Sequence, residues 1–294
     1  MTQNYLPEPI FINGKSNSRI ALYRFPNPFS PSQPVVMTHG TFSNARICAK
    51  LARFLNANGF ECWVYEWIGH GESEYGKLYP DAEDFALNDV PAVIQTVLKE
   101  TNKTSCIWVA HSGGGFLPLI YMARNPHRQH EIEKLVGIGS QTTGAGKTWA
   151  GKLSTRIVPL IIKMLGKVPG PLFALGPEDE ISGFLNQWCK WNRSGNWLGK
   201  DGFNYYKAME SILIPTILIS GGNDLIAPPN GCQQVFQSLG STQKKYVLCS
   251  KATGFMENYN HPRLIASQNS RTEIWPMILE FISSQERTCR PTKG

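Results

Sequence analysis

Several common signals are missing from this chain. No cysteine pair has CxxC spacing: the seven thiols, Cys48, Cys62, Cys106, Cys189, Cys232, Cys249 and Cys289, are odd in number and scattered. That excludes an obvious disulfide framework or zinc site, so no metal is expected and a reducing, cytoplasmic setting is. No apolar run is long enough to span a bilayer, since the longest, IVPLIIKML, is interrupted by Pro159 and Lys163. The opening MTQNYLPEPI lacks the basic start and apolar stretch of an export signal. No block of basic residues accompanies the net charge of +7, and QKK near 244 is short. Nucleic acid is therefore not an expected partner; the charge reads mainly as solubility, with weak attraction to a membrane surface as the lesser expectation. TTGAGKT resembles a phosphate-binding loop but lacks the G-x-x-x-x-G-K-[ST] spacing, which argues against nucleotide binding.

What is present is a regular alternation. The 294 residues suffice to bury a core without staples, so folding requires no cofactor. Apolar strand patterns occur over 19–25, 34–40, 61–67, 105–110, 134–140, 215–221 and 244–250, with helical patterns between them over 44–58, 82–100, 230–239 and 272–284. Gly59 suits the C-terminal turn of the first helix. Strands separated by helices predict a parallel sheet covered on both faces, an α/β fold. From 141 to about 207 the rhythm gives way to an irregular, mostly helical stretch rich in Gly, Pro and Trp, read as an insertion over one end of the sheet. The tail ERTCRPTKG is expected to fray.

Within CIWVAHSGGGFLPLIYMAR a strand turns abruptly into a helix at Ser112. A serine between small residues on such a turn is a nucleophile elbow, nominally G-x-S-x-G, here AHSGG with Ala110 at the first position. The helix after it directs free N–H groups toward Ser112, so the Gly113 N–H is one expected oxyanion donor. THGTFSN supplies the second: Thr41 first, Phe42 as the alternative. One donor of this kind is worth roughly 3 kcal/mol in the transition state.

With VVMTHG, AHSGGG, ISGGND and NHP in that order, the chain resembles the α/β-hydrolase superfamily over nearly its whole length. The resemblance implies a mostly parallel eight-stranded sheet with a helical cap inserted after the sixth strand. It assigns 1–140 and 208–294 to the core domain and 141–207 to the cap. It also implies ester or related acyl hydrolysis without a cofactor, while leaving the substrate open.

The serine needs a base that titrates near neutrality. His39 and His70 precede glycines in loops ahead of the elbow; His111 adjoins the nucleophile with its side chain directed elsewhere; His127 and His130 lie in a polar surface stretch. His261, after the last strand, fits the family order, against the plain alternative of a loop histidine beside a proline. Asp224, on the loop after 215–221, is the expected orienting acid, against an ordinary turn aspartate. The other family position, after 134–140, offers only Ser140 and Gln141, and Glu257 is the reserve. GHGES around His70 reads as a turn, and PEDE at 177–180 as a solvated or helix-starting acidic stretch. The aromatic insertion could enclose an acyl chain or form a core of its own. The expectation is a serine esterase or lipase-like enzyme acting on medium-chain or lipid-like esters. Acyl transfer on the same residues is the alternative, and a non-catalytic ligand-binding protein a more distant one. Acyl length, leaving group and oligomeric state stay open.

Overall fold

The computed structural model describes residues 6–76 and 80–284. Its strands are β1 (Pro9–Asn13), β2 (Arg19–Phe25), β3 (Val35–Thr38), β4 (Cys62–Tyr65), β5 (Cys106–His111), β6 (Ile132–Ile138), β7 (Lys167–Val168), β8 (Glu180–Ile181), β9 (Thr216–Gly221) and β10 (Lys244–Cys249). The helices are α1 (Arg46–Ala57), α2 (Ala82–Asp84), α3 (Val90–Thr101), α4 (Leu117–Arg124), α5 (Trp149–Leu165), α6 (Ser182–Ser194), α7 (Tyr205–Ala208), α8 (Pro229–Ser238), α9 (Arg263–Ala266) and α10 (Gln268–Ser283).

Eight strands form one sheet in the order β1-β2-β4-β3-β5-β6-β9-β10. The β1–β2 and β2–β4 pairs are antiparallel, and every other pair is parallel. The mostly parallel sheet expected from the alternating pattern is therefore present. Central strands are buried on both faces because successive side chains point opposite ways. Val36, Trp63 and Trp108 pack with α3 and α4 on one side. Val35, Met37, Cys62, Val64, Ile107 and Val109 pack with α1 and α10 on the other.

Three local features depart from the sequence pattern. β1, at the sheet edge, was not anticipated: a five-residue strand that opens on proline and is only partly buried carries little alternation. The helix expected over 82–100 is interrupted by a π-helical turn at Phe85–Asp89, next to Pro91, which cannot donate the regular backbone bond. The last helix begins four residues before the expected start, where the Ser267 side chain accepts from the Ser270 N–H, and it runs through Pro276. Gly59 takes φ +96° just past α1, as its position required.

Between β6 and β9 lie α5, the β7–β8 ladder, α6 and α7. This stretch shares its core with the sheet: Phe184, Trp191 and Trp197 belong to the same buried cluster as α3 and α4. Only a small group, Ile162, Val168 and Leu185 with Phe42, Val158 and Ile161, packs separately. Most of the aromatic residues of the insertion are thus structural packing.

The six described cysteines are free and buried. Among the described residues no helix is long and apolar enough to cross a membrane. Cys289 and the tail expected to fray lie outside the described residues.

Leu51, fully buried where α1 meets the sheet, gives a direct test of this packing. Leu51→Ala is expected to lower unfolding free energy by about 2–5 kcal/mol, read as a fall in urea midpoint at unchanged slope.

Candidate active site

Ser112 follows the buried strand β5 and takes φ +55°, a left-handed conformation that costs a non-glycine residue free energy. Surrounding contacts hold it there. A Cβ on Gly40 would stand 2.3 Å from the Ser112 Cβ, and one on Gly114 would stand 2.5 Å from the His39 carbonyl oxygen. The loop after β3 and the turn after β5 therefore meet backbone to backbone, which only glycine permits. Ser140 completes the support by donating its hydroxyl to the Ser112 carbonyl at 2.8 Å. The position where the superfamily can place an acid is used here for a brace. Ser112 is 9% exposed, and its Oγ makes no hydrogen bond among the described residues.

His261 and Asp224 come together although 37 residues separate them. Asp224 Oδ2 lies 2.7 Å from His261 Nδ1. Its other oxygen accepts from the Ile226 and Ala227 N–H groups at 3.0 and 2.8 Å, which fixes the carboxylate on the loop after β9. With Nδ1 engaged, Nε2 of His261 is the nitrogen left for proton exchange. Gly139, at φ +61°, leaves room for the pair: a Cβ there would sit 3.2 Å from the imidazole and 3.3 Å from Asp224 Oδ2.

The His261 imidazole lies against His111, the residue that precedes Ser112. The two rings lie 4.5 Å apart, and His111 Nε2 donates to the His261 carbonyl at 3.1 Å. Burial, with the neighbouring His261 charge, lowers the His111 pKa to about 3, so this ring stays neutral. Glu257, the reserve acid, is taken up by Arg263 at 2.6 and 2.9 Å and by Asn269 at 3.2 Å. His127 and His130 are exposed.

The loop that carries Thr41 passes close to Gly113. A Cβ on Gly40, the residue before Thr41, would fall 3.3 Å from the Gly113 nitrogen. No side chain caps the turn that begins at Ser112, and nothing among the described residues accepts from the Thr41 N–H. Phe42, the alternative donor, is committed elsewhere: its N–H donates to Glu180 Oε2 at 2.9 Å.

That bond exposes a network the sequence did not reveal. Glu180, expected to be solvated with its PEDE neighbours, is fully buried. Its Oε2 also lies 3.3 Å from His70 Nε2, and its Oε1 accepts from the Ile181 N–H at 3.1 Å. The other His70 nitrogen faces the Ile68 carbonyl at 3.3 Å, so acceptors meet both sides of the ring. Burial alone would pull the His70 pKa down, but the Glu180 charge and hydrogen bond outweigh it and raise the pKa above its ordinary value. His39 is neutral by contrast. The Trp67 N–H donates to its Nε2 at 3.2 Å, leaving Nδ1 to donate to the Gly40 carbonyl at 2.7 Å, and burial holds its pKa well below the usual range. Glu178 adds two ties to the same loop, accepting from Asn44 Nδ2 at 2.6 Å and donating its N–H to the Phe42 carbonyl at 3.2 Å. The loop carrying Thr41 is thus held from below by His39 and from the insertion by Glu178 and Glu180. The one local signal was an acid directly before the apolar helix start ISGFL.

A family model described as serine aminopeptidase, S33, matches residues 30–175. The monoglyceride lipase of Saccharomyces cerevisiae is 24% identical over 235 residues, 73% of this chain and 74% of that protein. The structure of a soluble variant of the same lipase with a substrate analogue superimposes with TM-score 0.71 at 18% identity, covering 96% of this chain and 97% of that one. The chain has the α/β-hydrolase fold, and the family match and the relative support its place in that superfamily. A monoacylglycerol lipase from Paleococcus ferrophilus has the same fold, with TM-score 0.63, 19% identity and coverage of 90% and 98%. An esterase from Exiguobacterium antarcticum shares it too, with TM-score 0.65, 18% identity and coverage of 93% and 99%. Ser112, Asp224 and His261 each follow the C-terminal end of a strand of the sheet, β5, β9 and β10.

Two outcomes are expected from the Glu180 network. Glu180→Ala should lower kcat for a short p-nitrophenyl ester by roughly tenfold to a hundredfold with KM little changed, through displacement of the Thr41 loop. Glu180→Gln, which can still accept from the Phe42 N–H, should recover most of that loss. Because the folded pKa of His70 is raised, the stability its pairing adds is complete below 6.5 and is lost as pH climbs through the folded value. The stability gap between the parent and His70→Gln, measured by thermal melts, should therefore narrow from mildly acidic to alkaline buffer.

Proposed function

We propose that this ester-bond hydrolase works as a serine esterase on medium-chain or lipid-like carboxylic esters, through an acyl-enzyme formed on Ser112. The observation that carries the reading is the Asp224–His261 pair, closed at 2.7 Å and seated against the residue that precedes a strained, partly exposed serine. Nε2 of His261 takes the Ser112 proton as Oγ attacks the carbonyl carbon; Asp224 holds the ring and stabilises the imidazolium that forms. The Thr41 and Gly113 N–H groups receive the developing oxyanion. The proton then passes to the departing alkoxide, and water, deprotonated by the same imidazole, releases the acid and restores Ser112. In this reading the Oγ–Nε2 hydrogen bond forms as substrate binds, since substrate-free sites often leave it incomplete.

In this reading residues 141–207 form the cap and the remainder the core. Phe184, whose ring would lie 3.1 Å from a Cβ on Gly113 and which packs, tilted, on Trp67 with ring centres 4.9 Å apart, gives the cap an apolar surface next to the elbow. The likeness to a monoglyceride lipase supports a small lipid-like ester as substrate. Free, buried thiols support a reducing, cytoplasmic setting.

Ser112→Ala should retain the fold by circular dichroism, lose turnover of p-nitrophenyl esters graded by chain length, and lose labelling by a fluorophosphonate probe. Undiminished turnover in that variant would remove Ser112 from the mechanism. Product partitioning with added alcohols distinguishes hydrolysis from acyl transfer. Faster cleavage of aminoacyl anilides than of every ester would replace the esterase reading with the peptidase one that the family match raises.

A further inference from the structure

α5 presents to solvent what its length would ordinarily bury. Trp149, Leu153, Ile157, Leu160 and Met164 are all exposed, Trp149 and Met164 at 81% and Leu160 at 60%. At 3.6 residues per turn these five positions fall within about 80° of arc, one straight stripe along the helix. The opposite side is the buried one, with Gly151, Thr155 and Ile162 facing the molecule. Leu172, Phe173 and Leu175 in the following turn continue the exposed apolar surface. A contiguous patch of this kind on a soluble chain marks a contact surface.

Charge indicates what it contacts. Lys152, Arg156 and Lys163 lie on the helical arc bordering the stripe, and none has an acidic partner among the described residues. From Gln141 to Pro177 the chain has five basic residues, Lys147, Lys152, Arg156, Lys163 and Lys167, and no acidic one. Two copies meeting through this face would bring like charges together. An apolar stripe edged by cations instead matches the acyl boundary and anionic headgroups of a bilayer, with Lys and Arg stems lying along the apolar surface and their charges at the headgroups.

We propose that α5 docks the protein flat on an anionic lipid bilayer, with the Trp149–Met164 stripe at the acyl boundary and Lys152, Arg156 and Lys163 on the headgroups. The surface adjoins the candidate site: Val158, Ile161 and Ile162 of α5 pack with Phe42, the residue after Thr41. Docking stands on this helix face alone and needs no chemistry at Ser112, so failure of the esterase reading would leave it intact.

The test is flotation of the full-length Ser112→Ala protein with phosphatidylcholine vesicles, with and without phosphatidylglycerol. It should float with the anionic vesicles, more weakly with neutral ones, and less as salt is added. Leu160→Asp with Met164→Asp should cut the bound fraction roughly tenfold. In the Ser112 background the same pair should leave turnover of a soluble short ester unchanged. Should that pair misfold, Lys152→Gln with Lys163→Gln decides, and is expected to reduce binding and flatten its salt dependence. Absence of flotation by the parent, or undiminished flotation by both variant pairs, overturns the proposal. So does a dimer, seen by sedimentation, that the aspartate substitutions split.

Discussion

Everything at the candidate site depends on one close approach of backbone to backbone. The loop after β3 passes so near the turn after β5 that neither Gly40 nor Gly114 has room for a side chain. That contact accompanies the positive φ of Ser112 and brings the loop that carries Thr41 close to Gly113. Strain of this kind, of order 1–3 kcal/mol, persists only where neighbours over-determine the geometry. Here the parallel pairing of β3 with β5 fixes the two strand ends, and the Ser140 hydroxyl secures the Ser112 carbonyl from the far side.

Around that contact the molecule separates rigid parts from exposed ones. Asp224 is immobilised by two backbone donors, and the His261 main chain is held by His111. The Thr41 loop is tied to the insertion through buried Glu180, which also meets His70. A buried polar contact of this kind gains little net free energy over an apolar replacement, but leaving one partner unpaired is costly. Its effect is therefore geometric: it fixes where the insertion sits relative to the Thr41 loop. α5, by contrast, keeps an apolar face outward, with cations that have no acidic partner among the described residues.

Much of this was legible in the sequence because it is encoded locally. The central strands announce themselves as short apolar runs, and the elbow as a serine amid small residues between a strand and a helix pattern. Asp224 and His261 could be chosen because chain order and strand ends narrow the candidates, although their contact itself is a tertiary fact. Glu180 was misread because a carboxylate destined for the interior has the same local sequence as one bound for solvent. Its partners, Phe42 and His70, lie 138 and 110 residues away. The π turn at Phe85–Asp89 was hidden by a continuous helical pattern, and β1 by its partial exposure. The apolar stretch of α5 was plain, but which of its faces would be covered depends on tertiary packing.

The ties from Glu178 and Glu180 also bear on how a ligand could come and go. To lift that end of the insertion would part a buried carboxylate from the buried His70 imidazole and strip two backbone hydrogen bonds from the Phe42 loop. The opposite end, where α5 packs through a few aliphatic side chains, has far less to break. The insertion is thus fastened unevenly to the Phe42 loop, by polar ties at its acidic end and by aliphatic contact alone along the greasy helix.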